Sequence, residues 1–148
     1  MNITNSPAQT VDVDLVYTFY KELVEQYETD PVPMEKVLAW GRRKIESQLA
    51  DYRVILADGE KAGYFHLSEE PDGRWELDDL YLFPVFRGKG IGSTLLRQIT
   101  QKADEDQKTL FLCVFRKNEG AVRFYERNGF VITDQAGNSR WIMERKAK

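Results

Sequence analysis

Three groups of residues in this chain have side chains and spacing suited to chemistry. Arg87-Gly88-Lys89-Gly90-Ile91-Gly92 combines glycines with two cations, and Ser93 follows. Glycine lets a backbone turn tightly and bring bare N–H groups close to a ligand. Where such a turn opens a helix, unsatisfied donors and the helix dipole favour an anion, above all a phosphate. Upstream, Glu76, Asp78 and Asp79 crowd one short segment, and carboxylates there can take a proton from a nucleophile or attract a cation. Downstream, Asn118 and Tyr125 stand seven residues apart. That is two helical turns, so a helix would put an amide and a phenol on one face.

The elements that must position these groups are legible around them. Trp75 to Phe83 reads as a strand leading into the glycine turn, and Ile91, Leu95, Ile99 and Ala103 fall four apart as the buried seam of a helix leading out. Leu110 to Phe115 is apolar at every position, the pattern of a central strand covered on both faces. Asn118 opens a helix running to about residue 128, which Gly129 stops. Before the carboxylates, residues 10–28 carry apolar side chains at helical spacing, and Met34, Val37, Leu38, Ile45 and Leu49 form the stripe of a second helix. Tyr52 to Ala57 and Ala62 to Leu67 read as strands joined at Asp58-Gly59. Phe130 to Thr133 and Arg140 to Glu144 close the chain as two strands. No opening strand is legible before residue 10, so the sheet lacks one or has a short one. A three-strand meander followed by strand–helix alternation indicates a mixed sheet with helices on both faces.

Two phosphate-binding patterns do not fit the glycine turn. A P-loop needs Ser or Thr after its lysine, whereas Lys89 precedes Gly90. A dinucleotide fingerprint matches Gly88 and Gly90 but meets Ser93 where a third glycine or alanine belongs. It also lacks the acidic residue that ends a second parallel strand, since Asp104 and Glu105 fall in helix. Arg87-x-x-Gly90-x-Gly92, between a strand and a helix, instead resembles the coenzyme A pyrophosphate loop of the GNAT superfamily of N-acetyltransferases. The segment from Asn118 through Ala121, Tyr125 and Gly129-Phe130 is similar to the second cofactor segment of that family. The resemblance covers roughly residues 52 to 145, and the two helices before it suit the family's variable acceptor side.

The resemblance implies an α/β (α+β) fold: a mixed, mostly antiparallel sheet with a splayed central strand pair, in one domain spanning residues 1–148. It implies an acetyl-CoA-dependent N-acetyltransferase, with acetyl-CoA as co-substrate, no metal, and a small-molecule or peptide amine as acceptor. Arg87, Gly88, Lys89, Gly90, Ile91, Gly92 and Ser93 would hold the diphosphate. The edge Leu80-Tyr81-Leu82 would pair with the pantetheine arm like an added strand, although Leu80 and Leu82 also suit plain core packing. Asn118 would offer its amide to the pantetheine or cap its helix, two roles of equal weight. Tyr125 would meet the departing thiolate. A phenol near pKa ~10 facing a thiol near ~8.5 makes full proton transfer uphill by roughly 2 kcal/mol, so hydrogen-bonding to developing charge describes that role better. In relatives with a glutamate base on this strand, its distance from the loop corresponds to Glu76; Asp78, Asp79 and ordered water are the alternatives. Glu76, Asp78 and Leu80 share a face if the strand is regular, and a bulge switches that parity. The rival class is a non-catalytic acyl-CoA-binding or regulatory module on the same fold, against which Asn118 and Tyr125 speak.

Composition bounds the rest. At 148 residues the chain can bury a real core. A net charge of −3 argues against a nucleic-acid partner. The single cysteine, Cys113, fits a reducing compartment and a place in the core. Its mid-strand position argues against a covalent acyl-cysteine route. The polar start lacks the blocks of a signal peptide, and no apolar run nears the ~20 residues of a membrane span. A cytoplasmic protein with no membrane partner is the expectation, and the family's habit adds a homodimer to it. The lone His66 reads as a solvated or packed strand residue, and Tyr17, Tyr20, Tyr27 and Trp40 as helix core ahead of acceptor lining.

Overall fold

The computed structural model describes residues 1–148. Seven strands, β1 (Ile3–Pro7), β2 (Tyr52–Ala57), β3 (Glu60–Glu69), β4 (Trp75–Leu82), β5 (Leu110–Phe115), β6 (Val131–Ala136) and β7 (Arg140–Arg145), form one sheet in the order β1-β2-β3-β4-β5-β7-β6. All neighbours run antiparallel except β4 and β5. Four helices cover it: α1 (Val13–Tyr27), α2 (Met34–Ser47), α3 (Ile91–Glu105) and α4 (Glu119–Arg127).

The two faces bury separate cores. On one, Ile91, Leu95, Leu96, Ile99 and Ala103 of α3 pack with Ile55, Phe65, Leu77, Leu110, Leu112 and Met143 of the sheet. On the other, Val13, Val16 and Phe19 of α1 and Ile45 of α2 pack on Tyr52, Val54 and Tyr64. Helices α1 and α2 meet closely at Gly41, where a Cβ would lie 2.0 Å from the Tyr20 ring. The Tyr20 hydroxyl donates to the Val37 carbonyl at 2.9 Å, tying the same helices together.

The opening strand exists. β1 pairs antiparallel with β2, from Ile3↔Ala57 to Pro7↔Arg53. It buries only Ile3, so its formation rests on backbone pairing at a sheet edge and leaves no apolar alternation to read. The expectation that β5 is covered on both faces needs correction. Leu110, Leu112 and Val114 are buried, whereas Phe111, Cys113 and Phe115 are only half-buried because their face looks into a cavity.

That cavity exists because β4 and β5 separate. They pair in parallel only at Trp75↔Leu110 and Glu76↔Phe111, at the start of both strands. Beyond Glu76 the edge of β4 is unpaired towards β5. A bulge lies on the same stretch of β4, where the register against β3 jumps from His66↔Asp78 to Tyr64↔Tyr81. Two residues, Asp79 and Leu80, thus face one, Phe65, and Asp79 takes a left-handed φ of 51°. A bulge of this kind bends and twists its strand. Parity switches there: Trp75 and Leu77, then Leu80 and Leu82, pack on the α3 side. The regular-strand expectation that Leu80 shares a face with Glu76 and Asp78 therefore fails.

Candidate active site

A cavity of about 540 Å³ lies where the strands part, beneath α1 and α2. Glu76, Asp78, Asp79 and Leu80 of β4, Phe111, Cys113 and Phe115 of β5, and Asn118 and Tyr125 of the following segment all line it. The fold thus brings together Glu76, Leu80, Asn118 and Tyr125, which the sequence holds up to 49 positions apart. Tyr125 belongs to the α3-side core yet reaches the cavity through the gap, with only 9% of its surface exposed. Burial, then the charges of Asp78 and Asp79, push its phenol well above the ordinary tyrosine range. The proton stays on, so the hydroxyl is available as a hydrogen-bond donor.

Each carboxylate has a different environment. Asp78 accepts from Lys44 of α2 at 2.6 Å and from the Asp79 amide at 2.9 Å. Burial pushes Asp78 up, but Lys44 outweighs it and holds the group below its usual range. Asp79 accepts from the Tyr52 hydroxyl at 2.8 Å. Burial and the neighbouring Asp78 charge push it up to about 7. Glu76 has neither a cation nor a hydroxyl bonded to it, and burial followed by Asp78 raises it above the usual carboxylate range. A free, raised carboxylate is the better proton acceptor near neutral pH. Lys44 itself is pulled down by burial but raised more by Asp78 and Asp79, and stays charged.

The other singled-out side chains divide. His66 is packed, 1% exposed, its Nε2 at 2.9 Å from Gln48 Oε1 and its ring edge-on to Tyr52. Burial and then Lys44 lower it, so the imidazole is neutral. His66, Glu76 and Asp78 each bring one ligand-type atom within 4.8 Å of the others, with the Lys44 ammonium already bound to Asp78. Cys113 is not core but faces the cavity, because alternate residues of β5 turn towards the gap. Burial and then Asp78 and Glu76 push its thiol up, which makes it a poor nucleophile. Tyr20 and Trp40 also line the cavity, and Trp40 is 56% exposed, against the expectation of helix core. Tyr27 stacks on Phe115, and Arg42 lies over Tyr17.

The glycine turn stands outside this cavity, at the far end of β4. A short 3-10 turn, Pro84–Phe86, leads into it, and Gly88 and Gly90 adopt φ of 73° and 80°. Gly90 caps α3, whose first backbone bond runs from the Thr94 amide to the Gly90 carbonyl. The six amides from Gly88 to Ser93 therefore donate to no backbone acceptor. Such a run at a helix start can hold a diphosphate. Arg87 turns back instead, its Nε donating to the Leu82 carbonyl at 2.9 Å with the guanidinium over Tyr81. Lys89 lies near the Phe86 ring. Asn118 is a helix cap, its Oδ1 accepting from the Ala121 amide at 3.4 Å, and the same residue lines the cavity.

Comparison with known proteins now identifies the lineage. The Acetyltransferase (GNAT) family model matches residues 16–130, which include the bulge, the glycine turn and the cavity-lining Asn118, Ala121 and Tyr125. The chain belongs to the GNAT family. An uncharacterized N-acetyltransferase of Mycobacterium tuberculosis is 37% identical over 84 residues, 54% of each chain. Streptothricin acetyltransferase of Streptomyces lavendulae is 34% identical over 97 residues, 62% of this chain and 51% of that one. The chain spans about half the length of the curated relatives it matches. In fold it is similar to PaiA N-acetyltransferase from Thermoplasma acidophilum, solved in complex with coenzyme A, with TM-score 0.74, 24% identity and 99% of both chains covered. A GNAT acetyltransferase from Staphylococcus aureus gives TM-score 0.76 at 15% identity, covering 99% of this chain and 100% of the other.

Several residues of this GNAT site carry no signal in the sequence. Lys44 sits on a helix rich in charge, and only the packing of α2 over β4 delivers it to Asp78. Tyr52 and Arg140 reach the cavity from strands that the sequence marks as sheet and nothing more. No helix is long and apolar enough to cross a membrane.

The environment of Asp79 makes a testable statement about stability. Its folded pKa of about 7 exceeds the unfolded value of ~3.9, so the folded state binds the proton more tightly. That stabilisation is complete below the unfolded value and is lost as pH rises through the folded one. Asp79→Asn tolerates the left-handed backbone and removes the titration. The stability difference between wild type and variant, from denaturant unfolding, should fall between pH ~4 and ~7 and be level above. A level difference throughout would show Asp79 to be ordinarily ionised.

Proposed function

We propose that this protein is an acetyl-CoA-dependent N-acetyltransferase that moves the acetyl group to a primary amine by direct attack in a ternary complex. One observation carries the reading. An unpaired β4 edge joins a run of six free amides at the head of α3 to a cavity holding Glu76 and Tyr125. A long ligand with a diphosphate at one end and amides along its arm matches that layout. The amides from Gly88 to Ser93 bind the diphosphate, with Arg87 fixing the turn on β4 and Lys89 adding charge. The pantetheine arm pairs with Leu80-Tyr81-Leu82, and Asn118, whose Oδ1 is used as a cap, still has its NH2 to donate. The relatives named as acetyltransferases of streptothricin and of spermine and spermidine support an amine acceptor.

The chemistry follows from the side chains. An alkyl ammonium with pKa ~10.4 is neutral in only about one molecule in 2,500 at pH 7. Glu76 takes the proton, the amine attacks the thioester carbonyl, and a backbone N–H of the bulged strand stabilises the oxyanion. As the tetrahedral intermediate collapses, the C–S bond breaks and the Tyr125 hydroxyl hydrogen-bonds the coenzyme A thiolate. Cys113, held protonated, takes no part as a nucleophile.

Gly90→Val puts a β-branched residue at φ 80°, where a Cβ has room but the backbone conformation is unfavourable. Acetyl-CoA affinity, measured by calorimetry, should weaken at least about tenfold. Retained affinity would remove the diphosphate from this turn. Tyr125→Phe should lower kcat by about tenfold or more with acetyl-CoA affinity kept, in steady-state assays over an amine panel. Equal loss of affinity would make Tyr125 a packing residue. Glu76→Gln should lower kcat by about a hundredfold and abolish the ascending limb of the pH profile. An unchanged limb would transfer the base role to Asp79 or to water. Normal acetyl-CoA binding with no transfer to any amine would favour a non-catalytic acyl-CoA-binding module.

A further inference from the structure

The cavity has two chemically different ends, and the second end is unassigned. Glu76 stands opposite Phe111 at the closed end of the β4–β5 pair, whereas Arg140 of β7 stands opposite Phe115, four residues further along β5. At ~3.3 Å per residue that is a separation of about 13 Å along the strand, before the side chains reach inwards. Arg140 also lines an adjoining cavity of about 450 Å³, between the α1–α2 connection and the β6–β7 turn. Tyr20, Trp40 and Arg140 are common to both cavities. A molecule extending from the inner cavity towards the outer one must pass this guanidinium.

The donors of Arg140 make no protein hydrogen bond; the guanidinium forms only a long ion pair, 3.8 Å, with the buried Glu28 carboxylate. It lies over the Phe115 ring at 4.5 Å, which helps to hold the guanidinium in place. Lys44, the other cation of the inner cavity, is bound to Asp78 at 2.6 Å. The turn that carries Arg140 is anchored, since the Asn138 amide donates to Asp30 at 3.0 Å and the Arg116 amide to the Ser139 carbonyl at 2.8 Å. A planar fork held on a rigid turn is suited to bidentate capture of a carboxylate.

We infer that Arg140 determines acceptor specificity by holding a carboxylate of the acceptor while the acceptor's amine faces Glu76. The inference rests on the amine-transfer reading above and narrows it. The acceptor carries an amine and a carboxylate several bonds apart, as a free amino acid with a side-chain amine or a short peptide does.

The test compares acceptors that differ only in the carboxylate: 4-aminobutyrate with propylamine, 6-aminohexanoate with pentylamine, lysine with cadaverine, and triglycine with its C-terminal amide. Wild type should favour the carboxylate-bearing member by at least tenfold in kcat/KM, and Arg140→Gln should shrink that ratio at least tenfold. Arg140→Lys, which keeps the charge and loses the fork, should recover only part of it. The triglycine pair separates a peptide end from a free amino acid. Preference for the decarboxylated amines, or equal losses for both members of a pair in Arg140→Gln, would overturn the inference. Calorimetric binding of 6-aminohexanoate and pentylamine to the coenzyme A-loaded protein keeps the two readings apart. Carboxylate-dependent binding that Arg140→Gln removes, without transfer to any amine, would sustain the Arg140 site and sink amine transfer. Binding indifferent to the carboxylate would sink the Arg140 site whatever the turnover.

Discussion

Strands β4 and β5 are in register at only two residue pairs, Trp75↔Leu110 and Glu76↔Phe111, and the rest of the site depends on where that pairing stops. A fully zipped pair would satisfy the β4 edge and close the floor of the sheet. Unzipped, it leaves backbone donors and acceptors that need a partner, and a gap through which Tyr125 passes from the α3-side core. The bulge at Asp79 works with the gap. It turns Leu80 and Leu82 to the α3 side and puts two adjacent carboxylates on the α2 side.

Adjacent carboxylates in a part-buried cavity repel, and the fold resolves the repulsion unequally. Lys44 keeps Asp78 ionised, while Asp79 lies beside that charge under the Tyr52 hydroxyl and binds its proton up to about 7. Glu76, a residue away on the same face, is left without a partner and is raised by burial and by Asp78. Like groups a few residues apart thus acquire different proton affinities through burial and their neighbours. Burial, and then the same carboxylate charges, keep the Cys113 thiol and the Tyr125 phenol protonated, which sets a hydrogen-bond donor, and no sulfur nucleophile, beside the gap.

Rigid anchoring on both sides makes the cavity a defined volume. Gly41 lets α1 and α2 approach until only a hydrogen fits against Tyr20. On the opposite rim, Asp30 receives the Asn138 amide, and Gly137 sits where a Cβ would come within 2.7 Å of the same carboxylate. That rim of the cavity is therefore tied by a contact between segments 108 residues apart in sequence.

The sequence by itself determined the parts whose signal is local. The glycine turn needs left-handed φ at Gly88 and Gly90, and only residue type permits that cheaply. The Leu95 and Ile99 seam of α3, the Asn118 cap and the seven-residue spacing to Tyr125 are equally short-range, so they were legible along with the mixed sheet. β1 escaped because one buried isoleucine at an edge makes no pattern. Tertiary structure alone decided the rest. The end of pairing after Glu76 turned Cys113, Tyr20 and Trp40 from expected core into cavity wall, and the bulge reversed the face of Leu80. Lys44, Tyr52 and Arg140 acquired their partners only when α2, β2 and β7 were packed around the gap. Charge environments of this kind depend on distances of a few ångströms between segments distant in sequence, and no local pattern encodes such distances.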